Sequence, residues 1–321
     1  MTRIGLAALT LCVSTLALAS ESAPYPSRAI TIVVPTAPSG GNDLIARTLA
    51  QKLSPLLGQS VIVENRAGAN GAIGTETVAR AAPDGYTLLL GYIATHAMNP
   101  ALQTLRYDPV KDFTPISLLG YSPTVMVANP KADIKDVGDL VAQLKASPDK
   151  YAYATAGNGT APHFAGELFQ LNAGVKMLGV PYKGSAPAMT DTVGGQTQLM
   201  FPSLFTAAPY IKGGQLKALA IAGPERAPSM PDIPTLKEAG VDGVEVQQWY
   251  AIFAPANTPA PVVEKLNAAF NAVLKDPDVV RRMKEHGADV ALSTSAELGD
   301  LVKSELARWK DVVTKTNIAI N

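Results

Sequence analysis

Short β-branched apolar runs alternate along the chain with longer stretches in which apolar positions recur every three or four residues. The first run, Ile30-Thr31-Ile32-Val33-Val34, reads as a buried strand. Behind it Leu44, Ile45, Leu49 and Leu53 carry helical spacing, ending near Leu57-Gly58. A short strand at 61–63, a helix over 72–82 closed by Pro83-Asp84-Gly85, and a strand at 87–90 opening into a loop over 91–100 continue the alternation. It returns as a helix at 137–146, a strand from Tyr151, and a helix with Phe164, Leu168 and Leu171 on one face. Strands at 177–180, 198–201 and 216–222 follow, separated by helices at 186–193 and 204–212. Repeated strand–helix units with right-handed crossovers predict an α/β fold of mostly parallel sheets flanked by helices.

Two stretches depart from this rhythm. Strands at 116–119 and 124–128 flank Tyr121-Ser122-Pro123, read as a kink where the chain crosses between lobes. The apolar run 244–253, with Trp249 and Tyr250, is long enough to return. Beyond it the chain is helical, with apolar stripes on Val262, Val263, Leu266, Ala269, Phe270 and Val273, then over 279–286, then on Leu298, Leu301, Val302, Leu306, Trp309 and Val312. These stripes are expected to pack on the first lobe. The predicted division is therefore 24–122 and 248–321 for lobe 1 and 123–247 for lobe 2. At 321 residues the chain exceeds what one core usually supports.

The N-terminus adds an export signal. Arg3, the apolar run 4–18 and Ala17-Leu18-Ala19 have the three parts of a secretory signal peptide spanning 1–23, cleaved after Ala19 or as far on as Ala23. Cys12, the one cysteine, lies inside it, so the mature chain carries no thiol and suits a periplasmic location. With 27 basic and 27 acidic residues and no Lys/Arg block, nucleic acid is excluded as a partner.

The candidate chemistry sits in two glycine loops. Pro38-Ser39-Gly40-Gly41 joins the first strand to its helix; Ser39 is placed to cap that helix, and the glycines would let a ligand approach the free backbone N–H groups. The stretch is either such an anion seat or a plain βα turn. A second copy, Thr155-Ala156-Gly157-Asn158-Gly159-Thr160, follows another strand, suggesting that each lobe presents a helix start to one cleft. His96 and His163 fall at or just after glycine loops and read as ligand contacts, a hydrolase base, or helix-start residues bonded to backbone. Arg66 beside Glu64 reads as a loop tie, and His286 as a solvated helix cap.

Marks of catalysis are missing. No Gly-x-Ser-x-Gly elbow, Walker loop or His-Glu-x-x-His occurs, and with three histidines and no mature cysteine a zinc site would have to be mostly carboxylate, so neither metal nor cofactor is expected. Ser39 with His163 is the one pair a hydrolase could use.

Several ordered motifs carry a resemblance. Tyr25-Pro26-Ser27-Arg28, Gly40-Gly41-Asn42-Asp43, Val63-Glu64-Asn65-Arg66, Pro83-Asp84-Gly85-Tyr86 and Tyr107-Asp108-Pro109 open it. Ala156-Gly157-Asn158-Gly159-Thr160, Val180-Pro181-Tyr182-Lys183-Gly184, Pro231-Asp232-Ile233-Pro234 and Leu236-Lys237-Glu238-Ala239-Gly240 complete it. Over the whole mature chain these resemble the extracytoplasmic receptors of tripartite tricarboxylate transporters, the Bug family. The resemblance implies a two-lobed, hinged periplasmic binding protein of type II-like architecture, whose partners are a small organic acid and integral membrane transporter subunits. It implies that the loop after the first strand and the loop near Thr95 and His96 hold the ligand carboxylate, while the second lobe's 157–160 loop meets its other end. Candidate ligand contacts are thus Thr36, Ala37, Ser39, Gly40, Gly41, Asn42, Thr95, His96, Ala156, Gly157, Asn158, Thr160, His163, Tyr182 and Ser203. Members suited to amino acids resemble one another in an aspartate where this chain has Pro202. Its absence argues against an ammonium-bearing ligand, and Tyr92, Tyr121, Phe164 and Tyr182 are candidate flat walls for an aromatic or non-amino dicarboxylate.

Overall fold

The computed structural model describes residues 24–316 and residue 318. The expected leader, with Cys12, lies outside the described residues.

In the first lobe β1 (Ile30–Val34) lies between β2 (Val61–Asn65) and β3 (Thr87–Tyr92), parallel to both. The crossovers are α1 (Gly41–Leu57) and α2 (Ala72–Ala79). Ile32, Val33 and Val34 are buried because helices and the neighbouring strands cover both faces of the sheet. After β3 the chain does not open into a loop. It coils into a wide helical turn, Ala94–Met98, and a short helix, α3 (Asn99–Leu102), all of it buried as far as Asn99.

β4 (Phe113–Ala128) is one strand of 16 residues rather than two strands broken by a kink. The second lobe follows: α4 (Val137–Ala146), β5 (Ala152–Thr155), α5 (Ala161–Ala173), β6 (Leu178–Pro181), α6 (Ser185–Gly194), β7 (Leu199–Met200), α7 (Leu204–Lys212) and β8 (Lys217–Ala222). Here β5 runs parallel to β6 and β7. β9 (Gln247–Pro255) then returns to the first lobe, antiparallel to β3 and β4. From Phe113 to Pro123 β4 pairs with β9, and from Thr124 onward with β8 and β7. Pro123 is tolerated because its missing N–H falls where the strand leaves one sheet for the other. A parallel core in each lobe is thus extended by the antiparallel strands that join the lobes.

α8 (Ala260–Leu274), α9 (Pro277–Glu285), β10 (Asp289–Val290) and α10 (Ser295–Thr316) complete the chain. Leu266, Phe270, Leu298 and Trp309 bury their faces against the sheet, as the stripes predict. The indole N–H groups of Trp249 and Trp309 both donate to the Glu305 carboxylate, at 3.3 and 3.2 Å, which ties the returning strand to α10.

Candidate functional site: the cavity between the lobes

The carboxyl ends of the parallel strands in both sheets face a cavity of ≈ 440 Å³. From lobe 1 it is lined by the β1–α1 loop, including Thr36, Ala37, Gly40, Gly41 and Asn42, and by the 67–71 loop. Lobe 2 contributes Ala156, Thr160, Tyr182, Lys183, Ser203 and Thr206. Gln248 and Tyr250 of β9 form its hinge side, being alternate residues of one strand and so on one face.

The first residue before each of α1, α2, α5, α6 and α7, namely Gly40, Gly71, Thr160, Gly184 and Ser203, lines this cavity. Each helix start carries the positive end of a dipole worth roughly half a charge, and those of α1, α2, α5 and α6 have no side-chain cap; only α7 is capped, by Ser203. No aspartate or glutamate is among the lining residues, and Lys183 is the one charged side chain. Thr36 Oγ1, buried at the cavity wall, has no hydrogen-bond partner. Burial pushes the Tyr250 phenol up to about 12 and raises that of Tyr92 further, so both remain O–H donors. The cavity is a donor-rich, acid-free enclosure.

The start of α1 differs in detail from the sequence reading. Ser39 does not cap the helix: the capping position is Gly40, and Ser39 is exposed, at φ 65°, off the cavity. Its backbone N–H donates instead to Asp43 Oδ2 at 3.0 Å. Burial alone would raise the Asp43 carboxyl, but hydrogen bonds from Arg47, Ser39 and Asn65 hold it below the ordinary carboxylate range. The α1 start is pressed against the α7 start; a Cβ at Gly41 would lie 2.9 Å from Thr206 Oγ1 and 3.5 Å from the Phe205 ring.

Thr95 and His96 do not reach the cavity. The helical turn at 94–98 folds both into the core, where Thr95 Oγ1 bonds to the Tyr92 carbonyl at 3.0 Å and to His96 Nδ1 at 2.9 Å. The imidazole stacks on Phe253, centroids 3.9 Å apart and planes within 11°, and burial pushes it down to about 3.

In the second lobe Ala156, Thr160, Tyr182 and Ser203 line the cavity, whereas Gly157, Asn158 and His163 do not. Two N–H groups of that loop are already used: Gly157 N–H donates to Thr155 Oγ1 and Gly159 N–H to His163 Nδ1, each at 3.2 Å. His163 is therefore a buried helix-start residue bonded to backbone, its imidazole lowered by burial against the opposing field of Glu167. Phe164 is no wall, since its ring meets Trp309 of α10 at 4.9 Å. Tyr121 pairs with Trp249 in the sheet and lies off the cavity, and Pro202 is buried outside it. Arg66 binds Glu64 at 2.7 Å, a loop tie. His286 rests on Phe205, centroids 5.1 Å apart, rather than in solvent.

Residues 45–318 match the model of the tripartite tricarboxylate transporter family receptor. The chain belongs to this family. It is 37% identical over 320 residues to protein BugT of Bordetella pertussis, covering 98% of each chain. Its fold superposes on Rpa4515 of R. palustris with adipate at a TM-score of 0.89, with 34% identity over 92% of this chain and 99% of that one. For MatC of Rhodopseudomonas palustris with bound malate the TM-score is 0.86, with 38% identity over 90% and 100%. The two-lobed periplasmic binding fold and the Bug-family resemblance both stand. So does the coarser functional reading, since these receptors are solute-binding proteins.

Several lining residues carry little signal in the sequence. Gln248 and Tyr250 sit in an apolar strand whose alternation does not say which face meets a cavity. Asn70 and Gly71 belong to the loop after Arg66, whose Gly68-Ala69-Asn70-Gly71 lacks the full spacing of a dinucleotide-binding motif, although its glycines resemble those of the two loops singled out. Lys183 and Thr206 are brought in by lobe apposition alone.

Proposed function

We propose that this receptor captures a small organic carboxylate between its lobes in the periplasm, after removal of its leader, and delivers it to a tripartite tricarboxylate-type membrane transporter. The observation that carries this reading is the convergence of helix starts on a cavity without a carboxylate of its own. A hydrogen bond to a charged acceptor contributes about 1.5–3 kcal/mol, so a few matched ones hold a small acid at roughly micromolar levels. Adipate and malate in the two related structures are of this class.

The ligand lacks an ammonium group, because no acid lines the cavity to neutralise one. The rings of Tyr92, Tyr182 and Tyr250 favour an aromatic or otherwise flat dicarboxylate. Capture is non-catalytic: Ser39 and His163, the pair a hydrolase would need, both lie off the cavity.

A thermal-shift screen of aliphatic and aromatic mono- and dicarboxylates, followed by calorimetry, tests the proposal. Stabilisation by at least one dicarboxylate and by none of the amino acids is expected. Stabilisation by amino acids alone, or hydrolysis of esters by the purified protein, would overturn it. An uptake defect for the same acid on deletion checks delivery.

A further inference from the structure

We propose that Asn70 is the positioning residue that couples this cavity to lobe closure, and that the Gly157-Asn158-Gly159 loop is its receptacle rather than a ligand seat. The inference rests on the two-lobed receptor reading above and adds a device to it. Asn70 lies in the 67–71 loop that lines the cavity, in a left-handed conformation, φ 55° and ψ 35°, that asparagine accepts more readily than most residues. This turns its side chain away from its own lobe. Its amide N–H donates to the Asn158 carbonyl across the cleft.

The second lobe is shaped to receive it. At Gly157, φ 116°, a Cβ would overlap Asn70 Oδ1; at Gly159, φ 80°, it would overlap Asn99 Oδ1. Asn99, fully buried in lobe 1, donates its own amide N–H to the Asn70 carbonyl at 2.9 Å. A chain of amides thus runs from the lobe 1 core, through a cavity-wall residue, to the backbone of lobe 2. On the receiving side Thr160 Oγ1 to the Gly157 carbonyl, 2.6 Å, and Gly159 N–H to His163 Nδ1 keep the loop in shape. Both glycines are explained by the residues that enter beside them. An anion seat would instead need N–H groups free to point at a ligand, and those of Gly157 and Gly159 are spent within the loop.

Anything that shifts the 67–71 loop shifts the clasp, so a ligand touching that wall acts directly on the closed state. Closure is then a property of the Asn70–Asn158 pair as well as of ligand contacts.

The test uses the chain without its leader, and so without Cys12, carrying labelled cysteines at Ile62 and Leu178. These exposed residues lie on β2 and β6, at opposite ends of the strand order. Pulsed electron resonance measures the interlobe distance for the parent, Asn70→Gly and Gly157→Ala, alone and with malate or adipate as probes. Gly174→Ala, also at positive φ but with nothing within 4 Å of its Cβ, controls for strain. Asn70→Gly and Gly157→Ala should lower the ratio of closed to open distances by about threefold to tenfold, the weight of one hydrogen bond. Gly174→Ala should leave it unchanged, and the Asn70→Gly melting temperature should stay within about 2 °C of the parent. An unchanged ratio in Asn70→Gly, or a fall that merely follows a large loss of melting temperature, overturns the inference. If neither probe binds but the ratio in the protein alone responds, the clasp stands and only the choice of ligand falls.

Discussion

Asn70 Oδ1 occupies the space that a side chain at Gly157 would fill, so a residue of the first lobe completes a loop of the second. The glycine pattern that signals a ligand loop in sequence is here a mould for the opposite lobe. The ligand-facing glycines are those of the β1–α1 loop, where Gly40 and Gly41 line the cavity.

Gly41→Ala should reduce carboxylate affinity about tenfold, roughly 1.4 kcal/mol, by holding the α1 and α7 starts apart. The added Cβ meets Thr206 Oγ1 at 2.9 Å, whereas the nearest atom to a Cβ at Gly40 is the Ala37 carbonyl at 3.6 Å. Gly40→Ala, which meets no such obstacle in the protein, should leave the melting temperature unchanged, so that any loss of affinity it shows reports contact with the ligand itself. Calorimetry on both variants with the acid found in the screen decides this.

Lys183→Gln should weaken binding of a dicarboxylate by about threefold to fivefold and flatten its dependence on ionic strength. Lys183 is the one cation at the cavity and is itself exposed, so its contribution is screened and of order 1 kcal/mol. Affinity measured across a salt series checks both parts.

Ser203→Asp keeps the cap on α7, where Ser203 accepts the Thr206 N–H at 3.3 Å, but places a carboxylate in the cavity. Dicarboxylate binding should be lost, by about 100-fold or more, because a buried like charge is left unpaired. Ligands bearing an ammonium group should gain, which a repeat of the thermal-shift screen reads directly.

His96 is neutral in the folded chain, its imidazole pushed down to about 3 by burial, against an ordinary value of 6.5. A depressed histidine means that the unfolded chain binds the extra proton first. Its contribution to stability is full above pH 6.5 and is lost as pH falls toward 3, by up to about 1.4 kcal/mol per pH unit. His96→Leu should remove that part of the slope, measured by urea unfolding at a series of pH values.

Phe164→Ala should destabilise the protein by about 3–5 kcal/mol through the cavity left against Trp309. Both rings are fully buried, one from each lobe. Chemical denaturation checks the loss, and ligand affinity should fall with it, since the contact closes one side of the molecule.

Most of the alternation of strands and helices, and the family, were legible in the sequence. Each rests on local periodicity or on contiguous motifs. Ile30–Val34 is buried on both faces, and the stripe from Leu298 to Trp309 finds the sheet, because a helix or strand pattern states which residues avoid water. Pattern does not state which way a polar residue beside a glycine will turn. Thr95 and His96 fold inward because residues 94–98 coil instead of opening, and Ser39 turns outward because Asp43 takes its N–H. Gln248 and Tyr250 enter the cavity only because their strand joins the lobes, and Asn70 meets Asn158 only once the lobes are apposed. Those placements depend on contacts between segments far apart in the chain, whose energies no local stretch contains.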